Sequence, residues 1–242
     1  MFNVPLYNPM GHQLGHYTLN WSPARAVGSR MVKAQLLQPG SAGWAEAEAL
    51  VKGAFNQAYS ADITLSYPQV MGLYVKGHVR ERLEVSKEVL AVAAGMRSAE
   101  QGPLFLERYL PKPIESYFDC TRAEIVEMGS LASQEPGYSD ILFSFIASQM
   151  KAQGKKIAVI TATESLLNHL KKLELSPMLL GPAKLEMLTE AQRYAWGSYY
   201  DTKPQVCAFS SADIPLIEKK LRVQYIPQQT VTEFKGNAYA LA

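Results

Sequence analysis

Cysteine is nearly absent: Cys120 and Cys207 are the two in 242 residues. They lie far apart and in no metal-ligand spacing. That excludes a disulfide framework and a cysteine metal site, and leaves two small buried apolar side chains in a reducing compartment as the expectation. Long apolar runs are absent too. ILFSFIA and AVAAGM are the longest, well short of the roughly 20 residues that a bilayer-spanning helix needs. The opening MFNVPLYNPMGHQLGHYTLNWS has neither a basic n-region nor a continuous apolar core, so no secretory signal is expected. Charge of one sign is scarce, with 24 Lys and Arg against 22 Asp and Glu. A formal net charge of +2 does not point to nucleic acid or an anionic membrane as main partner. Repeats and low-complexity segments are missing as well. These absences describe a cytoplasmic protein with no nucleic-acid partner and no stable membrane insertion.

What is present suits one ordinary folded domain with appendages: 48% hydrophobic and 19% charged residues. Residues 1–30 are rich in Gly, Pro, Asn and His and read as an irregular arm, with GHYTLNWS as its one short strand. His12 and His16 are four apart, but Gly11 and Gly15 argue against the helix that would aim both at a metal, so no metal is expected. Residues 31–225 read as the main domain and 226–242 as a loose tail. RMVKAQLLQ is its first strand, Trp44 to Tyr59 a helix, and VLAVAAGMRS a buried strand. KGHVRERLEVSKE reads as an exposed connection or edge strand, and Pro103 starts a short amphipathic helix that Pro111 stops. QVCAFS is the expected final strand, with Ser211 capping a helix to Leu221.

The stretch from Thr121 to Gly181 organises the rest. Arg122–Ala132 reads as a strand with Gly129 marking a bulge or a close backbone approach. Ser139 offers an N-cap, and Asp140 stands in the first turn of a helix whose polar positions 140, 144, 148 and 151 form one narrow stripe. KKIAVITA is a short branched central strand, Thr163 caps a second helix ending near Glu174, and SPMLLG is a strand. The alternation predicts a crossover unit with helices against a largely parallel sheet, an α/β fold. Glu127 shares its strand face with Ala123, Ile125, Gly129 and Leu131, and a carboxylate there needs a partner or a raised pKa. Two roles stand open for it: a base that deprotonates an amine, or an ion pair with Arg97 or Arg108.

PLFLERYLPKPIE, RAEIVEMGSLAS, VITATESLLNHLKKLELSPMLLGPA and WGSYYDTKPQV, in this order and spacing, resemble the thermostable hemolysin family over residues 44–209. The resemblance implies a GNAT-like acyltransferase fold, a mixed sheet flanked by helices. It is related to acyl-homoserine lactone and N-acyl amino acid synthases, which move a fatty acyl chain from a pantetheine thioester to an amine. Implied with it are no tightly bound cofactor, an acyl carrier protein or coenzyme A thioester as co-substrate, and a small amine acceptor. The thioester is expected where two strands splay after Gly129, with Gly129, Ser130 and Leu131 beside it and Gly137, Tyr138, Ser139 and Thr163 along its arm. The loop SQEPGYS departs from the glycine-rich pyrophosphate loop of GNAT enzymes, having one glycine and the acidic Glu135, which suits a carrier-protein donor better than coenzyme A. The helix after the central strand carries Leu170 and Glu174 and lacks the tyrosine that relatives use as general acid.

Tyr199 and Tyr200, behind Trp196-Gly197, either protonate a leaving thiolate or wall the pocket. His169 reads as a surface histidine, and Lys171 and Lys172 as a carrier contact or a solvated helix face. Three functions compete: an acyltransferase with Glu127, Tyr199 and Tyr200 as its catalytic residues, a membrane-active cytolysin, and a non-catalytic lipid- or carrier-binding module.

Overall fold

The computed structural model describes residues 2–19, 31–76, 88–135, 137–213 and 223–228. The strands are β1 (Phe2–Tyr7), β2 (Gln13–Leu19), β3 (Met31–Leu37), β4 (Gln69–Lys76), β5 (Val89–Ser98), β6 (Ile125–Ser133), β7 (Ile157–Ala162), β8 (Met178–Pro182), β9 (Gln205–Ser210) and β10 (Gln224–Pro227). The α-helices are α1 (Trp44–Tyr59), α2 (Ser139–Ala152), α3 (Glu164–Lys172) and α4 (Glu190–Ala195). One mixed sheet holds all ten strands in the order β10-β2-β1-β3-β4-β5-β6-β7-β9-β8. It is less parallel than the sequence suggests. β1–β3 and β6–β7 run parallel, and the other neighbours are antiparallel. Of the two parallel pairs, β6 and β7 are the one consecutive in sequence, and α2 makes the crossover that such a pair requires.

Alternation along β6 sorts the two faces. Val126 and Met128 enter a core cluster with α2 and α3, while Ile125 enters a second cluster with Leu106, Tyr199 and Tyr200 on the opposite face. α1 covers that opposite face further along, through Ala47 and Val51 against Val70, Leu90 and Ala93. Every residue of α2 from Ile141 to Met150 is buried, as its narrow polar stripe predicts. Within the stripe Ser144 is buried yet satisfied, because its hydroxyl donates to the Asp140 carbonyl at 2.8 Å.

Several local readings shift. The residues 2–19, read as an irregular arm, form the hairpin β1–β2 and extend the sheet. Tyr17 anchors it: its ring stacks on Phe145 of α2 at 3.8 Å between centroids, and its hydroxyl donates to the Phe145 carbonyl at 3.3 Å. β10 pairs with β2 at the start of the expected tail, so QVCAFS is not the last strand. The strand expected from Arg122 begins at Ile125, because Thr121 and Glu124 form a capping box that closes Arg122–Glu124 into a 3-10 turn. Ala123 therefore does not share the face of Glu127. The helix after Pro103 is a 3-10 turn, Phe105–Tyr109, and the N-cap of α2 is Tyr138 rather than Ser139. Ser211 starts a 3-10 turn, Ser211–Asp213; the rest of the helix expected there and the connection at 77–87 lie outside the described residues.

Candidate active site

The site forms where β6 and β7 part. Their parallel pairing runs from Ile125–Ile157 to Met128–Ile160 and ends there. One residue on, β6 bulges against β5: between the pairs Ala93–Ala132 and Gly95–Gly129, the single residue Ala94 of β5 faces two of β6, Ser130 and Leu131. Ser130 takes a left-handed backbone, φ 49°, to make the bulge. β7 stays paired with β9 and keeps straight, so the backbone beyond Met128 and Ile160 borders a gap. The Tyr199 hydroxyl fills part of the hydrogen-bonding deficit by donating to the Thr161 carbonyl at 3.3 Å.

On the α1 face of the gap lies a cavity of about 60 Å³ lined by Glu127, Gly129, Ser130, Tyr67, Arg97 and Thr161 and walled by Phe55, Phe105, Trp196, Tyr199 and Tyr200. Glu127 is 2% exposed. Neither expected ion pair forms. Its carboxylate accepts the backbone N–H groups of Phe105 at 3.1 Å and Leu106 at 2.9 Å, so it caps the 3-10 turn. Arg97, its cross-strand neighbour, donates to the Ser66 carbonyl, and Arg108 donates to the Phe105 carbonyl and to Gln192. Burial pushes the Glu127 carboxyl above the ordinary range, against the two amides and the positive charge of Arg97, which pull it down. A buried carboxylate that takes protons readily is suited to act as a base.

The 3-10 turn is itself held. Arg122 grips Glu107 at 2.8 and 3.0 Å and Glu115 at 2.6 Å, and donates to the carbonyls of Ala99 and Gly102, both at 2.9 Å. Glu107 also accepts from the amides of Leu104 at 2.7 Å and Ile114 at 2.9 Å. Burial pushes Glu107 up, but the guanidinium and the two amides outweigh it and hold the carboxyl down at about 2. The segment that presents amides to Glu127 is thus fixed at its base.

On the other side of the gap a groove of about 420 Å³ runs over the starts of α2 and α3. Gly137, Ser139, Thr163 and Leu131 line it, with Asp140, Ser165 and His169. The Thr163 side chain accepts from the Leu166 amide at 3.3 Å, as a cap should. His169, read as a surface residue, pairs with Asp140 at 2.6 Å and ties the last turn of α3 to the first turn of α2. Phe55 and Tyr199 line both the groove and the cavity, so the two chambers meet at the gap.

The expected residues therefore divide. Glu127, Gly129, Ser130, Tyr199 and Tyr200 meet in the cavity; Leu131, Gly137, Ser139 and Thr163 meet in the groove. Tyr138 does neither: its side chain is buried in the main core. Both expected phenols are engaged, Tyr199 by Thr161 and Tyr200 by the Tyr109 hydroxyl at 2.5 Å. Burial pushes both phenols up. Sequence reasoning missed Tyr67, Arg97 as a cavity residue, and Phe55. The pair of glycines that cross-strand pairing would place together, Gly95 and Gly129, was the available signal. Among the described residues there is no cluster of three or more metal-ligand side chains, and no helix long and apolar enough to cross a membrane. Cys120 and Cys207 are both free.

Among solved structures, the fold resembles FeeM, an N-acyl amino acid synthase from uncultured soil microbes, at 15% identity over 75% of this chain and 93% of that one, with a TM-score of 0.48. It also resembles the acyl-homoserine lactone synthase LasI at 11% identity over 76% of this chain and 91% of that one, TM-score 0.48. A third is BjaI, a coenzyme A-dependent acyl-homoserine lactone synthase, at 9% identity over 79% and 89%, TM-score 0.43. No curated protein sequence matches. The fold is a mixed α/β sheet flanked by helices with one parted parallel pair, and the profile of one sequence family matches residues 37–214. The chain belongs to the thermostable hemolysin family.

Proposed function

We propose that this protein is an N-acyltransferase that moves an acyl group from a pantetheine thioester to a small amine. The observation that carries the reading is the gap between β6 and β7, with a buried carboxylate on one side and a groove at two helix starts on the other. A pantetheine arm is long, thin and polar at intervals, and matches a groove that narrows into such a gap. Its phosphate end would lie near the backbone N–H groups of the first turn of α2 and near Thr163. Its thioester would reach the bulge at Gly129 and Ser130, where backbone freed from the ladder can face a developing oxyanion.

Glu127 takes a proton from the acceptor ammonium, the amine nitrogen attacks the thioester carbon, and the C–S bond breaks as the tetrahedral intermediate collapses. The second N–H proton ends on the departing sulfur. Holding both reactants at one gap converts an encounter of two dilute molecules into a local step. Acyl carrier protein is the donor this reading favours, because Asp140 in the groove and the single glycine of the 133–139 loop are poorly suited to the several phosphates of coenzyme A.

The test is direct. Purified protein is incubated with acyl carrier thioesters or acyl-coenzyme A and a pool of amines, and N-acylated products are sought by mass spectrometry. Amine-dependent product with release of free thiol is expected. Consumption of no thioester under any donor would contradict the reading.

A further inference from the structure

Tyr67 belongs to no helix or strand and follows 61–66, a stretch whose side chains alternate between buried and exposed as it crosses the α1 face. Its ring lies over the Gly95–Gly129 pair of β5 and β6. A Cβ on Gly95 would sit 2.4 Å from two of its ring carbons, and a Cβ on Gly129 would sit 2.1 Å from its hydroxyl oxygen. Both glycines are thus required by Tyr67: the missing side chains make the space its ring occupies. The hydroxyl end is carried to the bulge, beside Ser130 and in the same cavity as Glu127.

This phenol differs from its neighbours. Tyr199 gives its hydroxyl to Thr161, and Tyr109 and Tyr200 share one bond between them. The Tyr67 hydroxyl has no hydrogen-bond partner among the described residues. The Tyr67 side chain is partly buried and borders the cavity, so its hydroxyl is open to a ligand or water there. Arg97, 5.7 Å from the ring centroid, braces the ring from the side and ties the preceding residue through the Ser66 carbonyl.

From this geometry we infer that Tyr67 is a catalytic hydrogen-bond donor, which places its O–H on the carbonyl oxygen of the acyl thioester at the β6 bulge. The inference rests on the acyltransferase reading. Glu127 has by then taken the ammonium proton. As the C–N bond forms, the carbonyl π pair moves to oxygen, facing Tyr67, and the nitrogen becomes positive until its second proton leaves with the departing sulfur. The phenol keeps its own proton throughout and donates only a hydrogen bond. Burial and the nearby Glu127 charge push its ionisation far above neutrality, so the donor is neutral and protonated at working pH.

The decisive variant is Tyr67→Phe, which preserves the ring over the two glycines and removes the oxygen. Wild type and variant are compared in full-length protein, with melting temperature as a check on folding. Two readouts are taken: steady-state acyl transfer, and the infrared carbonyl stretch of a carbon-13-labelled acyl-pantetheine thioester bound without amine. The expected result is a kcat lower by about 100- to 1,000-fold, the loss seen on removing one oxyanion donor, with KM little changed. The bound carbonyl stretch should lie lower in wild type than in the variant. Gly129→Ala, which pushes the hydroxyl off the bulge, should lower kcat in the same direction. A folded Tyr67→Phe protein that retains kcat within about threefold of wild type, far from that loss, would overturn the role of Tyr67 and leave the acyltransferase reading intact. Absence of transfer and of thioester binding in wild type would overturn both.

Discussion

Replacing Glu127 by Gln separates its two jobs, because the same carboxylate caps a turn and is placed to act as a base. The carboxylate accepts one N–H on each oxygen, Phe105 at 3.1 Å and Leu106 at 2.9 Å. An amide of the same shape keeps one acceptor and turns a donor toward the other N–H. One charge-assisted hydrogen bond is lost, worth about 1.5–3 kcal/mol, and one buried donor is left without a partner. Against this, a buried charge disappears, and burial is the largest influence on the Glu127 carboxyl. The net cost should therefore be smaller than for an ion pair that leaves a stranded cation, about 1–3 kcal/mol. For a protein of this size that lowers the melting temperature by roughly 2–4 °C per kcal/mol.

Turnover should fall further than stability, by about 100- to 10,000-fold, the range for losing a positioned acid–base group. The pH profile provides an independent sign. A raised carboxyl means that the base is protonated, and kcat/KM falls, at pH values where an ordinary glutamate is still ionised. Stability runs the other way: the folded protein binds that proton more tightly than the unfolded chain, so ionising Glu127 costs stability as pH rises from its ordinary to its raised pKa. Glu127→Gln should remove both dependences. Calorimetry and acyl transfer rates measured across pH on the two proteins check this. A folded variant with wild-type turnover and an unchanged acid limb would refute the assignment of Glu127 as base and leave it as the cap of the 105–106 turn.

Further outcomes follow from the scaffold. Arg122→Ala releases Glu107 and Glu115 together and should destabilise the 102–115 segment, detectable as faster hydrogen exchange at Phe105 and Leu106 and as lower turnover with Glu127 unchanged. In wild type the stability from Glu107 is present above its ordinary pKa and is lost as pH falls toward about 2, so acid titration of the melting temperature should show a decline that Arg122→Ala reduces. Gly95→Ala forces a Cβ into the Tyr67 ring and should cost about 1–3 kcal/mol by overpacking, read in urea denaturation, while lowering turnover through the displaced phenol. Thr163→Ala should cost about 1 kcal/mol as a lost helix cap, with Leu166 the first amide to lose exchange protection.

How far the sequence revealed the site follows from the range of each signal. α1, β5, α2, β7 and α3 were legible because their patterns are local: a period of 3.6 or 2, a Thr cap, a short branched run. Glu127 was legible as a carboxylate at odds with an apolar strand. Its partners were not, because backbone amides carry no residue identity, and the amides of Phe105 and Leu106 approach through a turn over 20 residues earlier. Tyr67 could not be read for the same reason: its position depends on two glycines, 28 and 62 residues further on, that pair only after the sheet forms. The β1–β2 hairpin was missed because Gly, Pro and Asn outweigh its short alternation locally, while its stability comes from Tyr17 on α2, a contact distant in sequence.

The central claim is that groove, gap and buried carboxylate form one path for a thioester. A crystal structure with an acyl-pantetheine analogue whose sulfur is replaced by a methylene group tests it most directly. The arm should run past Ser139 and Thr163, enter just beyond the Met128–Ile160 pair where the strands part, and place its carbonyl oxygen at the Gly129–Ser130 bulge beside Tyr67, with Glu127 facing the carbonyl carbon. An analogue bound elsewhere on the protein, or a gap closed by side chains in the complex, would contradict the account.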